Sequence, residues 1–138
     1  MKEEHKQVGK IIGIDYGSVR VGVAVSDKNA QFAIPFSVIQ NDSDLISKIE
    51  KIAKDNEVKE IVMGESKDFN GKPNLIFLDS IDLKEKLEAK GYKVYFEPEF
   101  MTSIQAERIQ GKNTMTDASA AALILQSYLD KNYKNNNL

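Results

Sequence analysis

The sequence predicts an α/β domain whose core is a mixed sheet of about five strands flanked by helices. Two features predict it: three strand-like apolar segments follow one another before the first helical segment, and helical and strand-like segments then alternate. Successive strands joined by turns pair antiparallel, whereas strands separated by a helix pair parallel. The 138 residues suit one domain over 1–138, with flexible tails expected at 1–8 and 132–138.

A hairpin opens the predicted fold. Apolar runs from Ile11 to Asp15 and from Val19 to Val25 flank a turn that contains Gly17. In the second run alternate residues are valines, so we expect their face of the strand to pack into the core. The residues between the valines make the opposite face low and flat: Gly22, Ala24 and Ser26.

A third strand and a helix complete the first half. The strand is expected from Phe32 to Ile39, and Pro35 within it favours an edge or bulged position because proline lacks the N–H that a central strand needs. The cluster from Asn41 to Asp44 marks a helix start, and apolar residues at helical spacing follow until about Asp55. The helix therefore ends an antiparallel meander.

The second half alternates strands and helices. A short buried strand is expected from Glu60 to Gly64, an amphipathic helical segment from Leu75 to near Gly91, and a strand from Tyr92 to Phe96. Capping-box spacing predicts a short helix from Thr102 to about Gln110. A final helix is expected from about Thr116 to Asp130. Strand, helix and strand in this order predict parallel pairing.

Composition excludes several kinds of chemistry. The chain has no cysteine, which removes thiol nucleophiles, disulfides and cysteine zinc sites, and its one histidine, His5, lies in the polar N-terminal segment. No apolar run approaches the roughly 20 residues that span a bilayer, so we expect no membrane association and a cytoplasmic location. Acidic residues outnumber basic ones 21 to 19, an awkward balance for a protein that binds phosphates.

Three carboxylates are candidates for catalysis: Asp15 ends the first strand, Glu99 follows the last strand, and Asp117 opens the final helix. Each has a simpler structural explanation when taken alone, respectively turn formation, a solvated loop position and helix capping, and Glu97 rivals Glu99. Gathered at one rim of the sheet, the three would suit Mg²⁺ or Mn²⁺, which prefer oxygen ligands. Two such ions can promote phosphodiester hydrolysis without a protein base.

Two runs of sequence resemble a known family. The run GIDYGSVRVGVAVSD at 13–27 resembles the opening motif of the YqgF/RuvX family, and TDASAAALILQSYL at 116–129 resembles that family's last helix. The resemblance implies a ribonuclease H-like fold, with Asp15 and Asp117 as metal carboxylates. It also selects Glu99 over Glu97, because PEFMTS at 98–103 aligns with a motif that usually reads Asp-Glu-Arg-Leu-Thr-Thr.

The middle motif departs from the family pattern: Pro98 stands where an aspartate is usual and Phe100 where an arginine is usual. Gly64-Glu65-Ser66 also replaces the commoner Gly-Leu-Pro. These changes affect substrate binding more directly than metal binding. The candidate phosphate contacts that remain are five cations: Arg20, Lys67, Lys72, Arg108 and Lys112.

The resemblance implies a nuclease for structured nucleic acid, with 5′-end processing of pre-16S ribosomal RNA as the leading hypothesis and a ribosomal precursor particle as a partner. Holliday junction resolution is the nearest alternative. It would need two sites in a symmetric homodimer, whereas RNA trimming would suit a monomer. A non-catalytic nucleic-acid- or ribosome-binding module of the same fold is the third reading. An actin- or sugar-kinase-like ATPase, suggested by the DYGS at 15–18, needs two lobes, and 138 residues supply about one.

Overall fold

The structure, a computed structural model, describes residues 8–65, 75–98 and 114–133. In those ranges one sheet of five strands carries three helices. The elements in chain order are β1 (Ile11–Tyr16), β2 (Arg20–Ser26), β3 (Ala33–Gln40), α1 (Leu45–Asp55), β4 (Glu60–Glu65), α2 (Leu75–Ala89), β5 (Lys93–Pro98) and α3 (Thr114–Asn132).

The strand order is β3-β2-β1-β4-β5. β1 pairs antiparallel with β2, and β2 pairs antiparallel with β3. β1 pairs parallel with β4, and β4 pairs parallel with β5. The mixed sheet predicted from the sequence, with its early meander and later parallel strands, is therefore confirmed.

The two faces of β2 separate two cores, as its alternating pattern predicts. The valines of β2, including Val21 and Val23, join the core under α1 and α2. The opposite face packs against α3, whose Ala121 and Leu125 are fully buried. Small side chains on that face allow close packing, since a Cβ on Gly13 would lie 2.6 Å from the Cβ of Leu125. α3 thus packs on the flat face of β1 and β2.

The predicted elements differ from the observed ones mainly at their ends. Pro35 lies in the edge strand β3, beside a register shift in the pairing of β2 with β3, as expected. The last helix is longer than predicted and runs to Asn132, whose side-chain amide donates a hydrogen bond to the carbonyl oxygen of Tyr128. Asn132 therefore belongs to the helix and not to the predicted tail. The predicted short helix at 102–110 lies outside the described residues.

In the described part of the chain, no helix is both long enough and apolar enough to cross a bilayer.

Candidate functional site

Asp15 lies near the end of β1, on the face of the sheet that α3 covers. Alternation along the strand sets this orientation, because Ile11 and Gly13 contact α3 while Ile12 and Ile14 belong to the opposite core. Asp15 is half-buried and pairs across the sheet with Gly22 of β2. Residues paired in this way share a face of the sheet. Whatever lies over Gly22 is therefore close to Asp15.

The first turns of α3 lie directly over Gly22. A Cβ atom added to Gly22 would come 2.1 Å from the carbonyl oxygen of Asp117 and 2.5 Å from its carbonyl carbon. Only glycine leaves room for so close a backbone approach. Because Asp15 pairs with Gly22 and the backbone of Asp117 packs on Gly22, the structure places two of the three predicted residues next to each other on one face, although they are distant in sequence.

Arg20 lies next to Asp117 on this face of the sheet. It starts β2 and shares the face of Gly22 by alternation, and its Nε donates a hydrogen bond to Oδ2 of Asp117 at 2.7 Å. Arg20 was expected as a phosphate contact, and its ion pair with Asp117 was not predicted. The sequence did contain one indication of it: Arg20 and Gly22 are two residues apart on a strand, so both lie on the face that α3 covers.

The turn between β1 and β2 is held from the side by Asn41, which the sequence analysis placed only in a helix-start cluster. The Asn41 side chain donates a hydrogen bond to the carbonyl oxygen of Gly17 at 2.8 Å, and its backbone N–H donates to the carbonyl of Val19 at 2.9 Å. Gly17 has no room for a side chain, because a Cβ there would lie 2.5 Å from the carbonyl oxygen of Arg20. These contacts fix the turn that connects Asp15 to Arg20.

A cavity of about 190 Å³ lies beside this turn, between the start of α1 and the middle of α2. Its lining includes three aspartates, Asp42, Asp79 and Asp82, with Lys86. Lys48, which donates a hydrogen bond to the Asp42 carboxylate, holds the pKa of that carboxyl below its ordinary value. Three aspartates around one cavity disfavour an anionic ligand such as phosphate.

Glu97, the rival of Glu99, is engaged elsewhere. It lies on β5 with only 3% of its surface exposed, and its Oε2 accepts hydrogen bonds from the Ser127 hydroxyl at 2.7 Å and the Lys131 ammonium at 2.6 Å. A buried carboxylate with two such donors is satisfied by the protein. Glu99 itself lies outside the described residues, as do four of the candidate phosphate contacts: Lys67, Lys72, Arg108 and Lys112.

The donor chemistry of the pair Asp15 and Asp117 fits a hard divalent cation. Both residues offer carboxylate oxygens, and Asp117 already binds one cationic group, the guanidinium of Arg20. Within 8–65, 75–98 and 114–133 no cluster of three or more acidic or histidine side chains has the arrangement of a metal site. The third carboxylate expected from the sequence, Glu99, lies outside those ranges.

Solved structures share this fold. The chain is similar to Thermus thermophilus RuvC in complex with a Holliday junction substrate, with a TM-score of 0.55 and 13% identity over 88% of this chain and 94% of that chain. It is similar to the Holliday junction resolvase of fowlpox virus, with a TM-score of 0.56 and 12% identity over 88% of this chain and 99% of that chain. The domain therefore has the ribonuclease H-like fold of RuvC-type resolvases.

Sequence comparison gives the family. A family described as RuvX, Holliday junction resolvase, matches residues 9–131. A relative from Caldanaerobacter subterraneus subsp. tengcongensis is 35% identical, and one from Lactobacillus delbrueckii subsp. bulgaricus is 32% identical. Each alignment covers 88% of this chain and 96% of the relative, and both relatives are named "Putative pre-16S rRNA nuclease". The chain belongs to the RuvX family.

Proposed function

We propose that this RuvX-family protein is a metal-dependent nuclease that hydrolyses phosphodiester bonds of structured RNA, in 5′-end processing of pre-16S ribosomal RNA. The observation that carries the proposal is the meeting of Asp15 and Asp117 across Gly22. A surface that only bound nucleic acid would have little reason to gather carboxylates where phosphates must lie. The names of the curated relatives supply the substrate class.

In this proposal Asp15 and Asp117 hold Mg²⁺ or Mn²⁺, with Glu99 as a third oxygen ligand. Such an ion, when bound, makes water a stronger nucleophile at neutral pH and stabilises the leaving oxygen. The chain therefore needs no histidine base, in keeping with a sequence whose one histidine is His5. The task of the folded chain is to hold the carboxylates rigidly. Their backbone positions on β1 and on the first turns of α3 serve that task.

Holliday junction resolution is the second candidate. The description of the family and the similarity in fold to RuvC favour it. A resolvase cuts two strands and needs two sites related by symmetry, so it should be a homodimer under assay conditions. A trimming nuclease can act as a monomer. Light scattering at assay concentration therefore separates the two candidates independently of substrate.

The test compares cleavage of a pre-16S 5′-leader RNA and of a four-way DNA junction, each with Mg²⁺ or Mn²⁺ and with chelator. The proteins are the wild type, Asp15→Asn, Asp117→Asn and a matched control, Asp55→Asn. Asp55 is an exposed aspartate at the end of α1, paired with Lys51 at 3.3 Å and remote from α3. Each substitution removes one charge and keeps the side-chain shape.

We expect metal-dependent cleavage by the wild type and by Asp55→Asn, and loss of about 100-fold or more in the two site variants, the scale at which misplaced catalytic groups act. Preference for the leader RNA supports RNA processing, and preference for the junction supports resolution. Equal cleavage by all four proteins would refute the site. A folded wild type that binds but cleaves neither substrate would refute the nuclease and favour a non-catalytic binding module.

A second pair of variants tests the choice of the third ligand. Glu99→Gln should lose cleavage, since it removes a proposed metal ligand. Glu97→Gln should retain metal-dependent cleavage at temperatures where it is folded, because the Glu97 carboxylate is already bound by Ser127 and Lys131. The reverse result would move the third ligand to Glu97.

A further inference from the structure

Arg20 binds one of the two carboxylates that we assign to the metal. Its Nε lies 2.7 Å from Oδ2 of Asp117, and the side chains are 42% and 28% exposed. A ligand from solvent can therefore reach both groups. A guanidinium carries five N–H donors, so an Arg20 side chain that leaves Asp117 can donate two parallel hydrogen bonds to another anion.

A divalent cation at Asp117 would oppose this ion pair. The guanidinium and the ion are both positive and both seek the oxygens of one carboxylate. Like charges a few ångströms apart repel strongly where solvent is partly excluded. Asp117 has two oxygens, so the two groups do not exclude each other sterically. Their charges nevertheless weaken simultaneous binding.

We propose that Arg20 is a positioning residue that exchanges partners when metal binds: it holds the Asp117 carboxylate in the metal-free protein and turns to a substrate phosphate once the carboxylate holds an ion. This inference rests on the proposed nuclease function and adds to it a coupling between metal and substrate. Metal binding would both charge the site and release a cation for the nucleic acid.

The chemistry of arginine and the place of Arg20 suit this second task. A guanidinium presents a planar fork of donors that matches two phosphate oxygens, which an ammonium group cannot do. Arg20 lies on the face that Asp15 and Asp117 share, so a phosphate that reaches the metal would come within the reach of this side chain. The chain has only two arginines, Arg20 and Arg108. The loss of one phosphate contact should therefore be measurable.

The first experiment measures Mn²⁺ binding by calorimetry without nucleic acid. It uses the wild type, Arg20→Met, Arg20→Lys and a matched control, Lys84→Met. Lys84 forms an ion pair with Glu88 at 2.9 Å on α2, on the opposite face of the sheet, and its side chain is 27% exposed. Arg20→Met should bind Mn²⁺ about fivefold more tightly or better, the lower end of usual couplings between ligands. Lys84→Met should match the wild type, and Arg20→Lys should return toward it.

The second experiment measures binding of the leader RNA over a range of salt, with chelator and with Ca²⁺. In chelator, the RNA affinities of the wild type and of Arg20→Met should depend on salt to a similar degree, because Arg20 stays paired with Asp117 and does not bind a phosphate. In Ca²⁺, the slope of log K against log salt should be steeper for the wild type by about 0.7 to 0.9, the value of one phosphate contact. A slope difference that is the same in both conditions would overturn the exchange of partners.

The two proposals fail in different ways. Absence of Mn²⁺ binding by the wild type, or equal binding by Asp15→Asn, overturns the metal site and with it the proposed function. Mn²⁺ binding that Asp15→Asn abolishes but Arg20→Met leaves unchanged keeps the metal site and overturns only the role of Arg20. Tighter Mn²⁺ binding by Arg20→Met, together with a slope difference seen only in Ca²⁺, supports the inference.

Discussion

Gly22→Ala should damage the site with one added methyl group. The new Cβ would lie 2.1 Å from the carbonyl oxygen of Asp117, whereas Cβ contacts in proteins essentially never fall below 3.0 Å. The first turns of α3 must therefore retreat by about 1 Å or distort, because the obstacle is helix backbone and no rotamer change relieves it. Asp117 then moves away from Asp15.

Both stability and activity should fall. Overpacking of this kind costs about 1–3 kcal/mol, which for a domain of this size lowers the melting temperature by roughly 3–12 °C. A displacement of about 1 Å in a catalytic group can lower the rate about 100-fold. We expect that loss in metal-dependent cleavage, measured well below the melting temperature, together with weaker Mn²⁺ binding by calorimetry.

Gly13→Ala, on β1, is the control, because its new Cβ would press against the same helix, α3, farther from Asp117. A Cβ at Gly13 would lie 2.6 Å from the Cβ of Leu125 and 3.0 Å from the carbonyl oxygen of Ala121, which are about two turns and one turn of α3 beyond Asp117. It should destabilise the protein similarly while lowering the cleavage rate much less. If Gly22→Ala melts earlier yet cleaves as fast as wild type per folded molecule, the assignment of Asp117 to the site is refuted.

Three further predictions concern other polar contacts. Ser26→Ala removes the hydroxyl that accepts the Ile11 N–H at 2.9 Å, so urea unfolding should show a loss of about 1–3 kcal/mol with unchanged cleavage in the cold. Burial acts to raise the pKa of Asp27, but hydrogen bonds from backbone N–H groups, those of Phe32, Gln31 and Asn29 among them, outweigh it and hold the pKa below its ordinary value. The stability that Asp27 contributes over Asp27→Asn should therefore be present at neutral pH and disappear as pH falls through the lowered pKa. Lys131→Met leaves Glu97 buried without its ammonium partner and should lower the melting temperature, though no change in metal affinity is expected.

The sheet could be predicted from the sequence because its signals are local. Alternating valines on β2 fix which face enters the core, and Pro35 marks the edge strand without knowledge of its neighbours. Strand ends were less predictable. β5 begins at Lys93 instead of Tyr92 and continues to Pro98, because pairing with β4 and not the apolar pattern decides where a strand ends.

The contacts at the site depend on distant parts of the chain. Alternation along β2 places Arg20 on the sheet face that α3 covers, yet its partner Asp117 lies 97 residues away in the sequence. Where the first turns of α3 come to rest depends on packing such as that of Leu125 against Gly13. For the same reason, the pairing of Glu97 with Ser127 could not be foreseen, since it depends on α3 reaching β5. The family resemblance selected Glu99 by alignment alone.

The charge of the proposed site would give a bound metal ion a role in substrate binding as well as in chemistry. Among the described residues of the proposed site, Asp15 and Asp117 outnumber Arg20, so without an ion these three side chains are negative together, in a chain whose formal net charge is −2. A polyanion would be repelled from them. A divalent ion would offset the charge of the carboxylates that hold it, and by our inference it would also free Arg20 for a phosphate. The low number of basic residues, which weighed against a nucleic-acid enzyme at the sequence level, is then compatible with one whose substrate binding requires the ion.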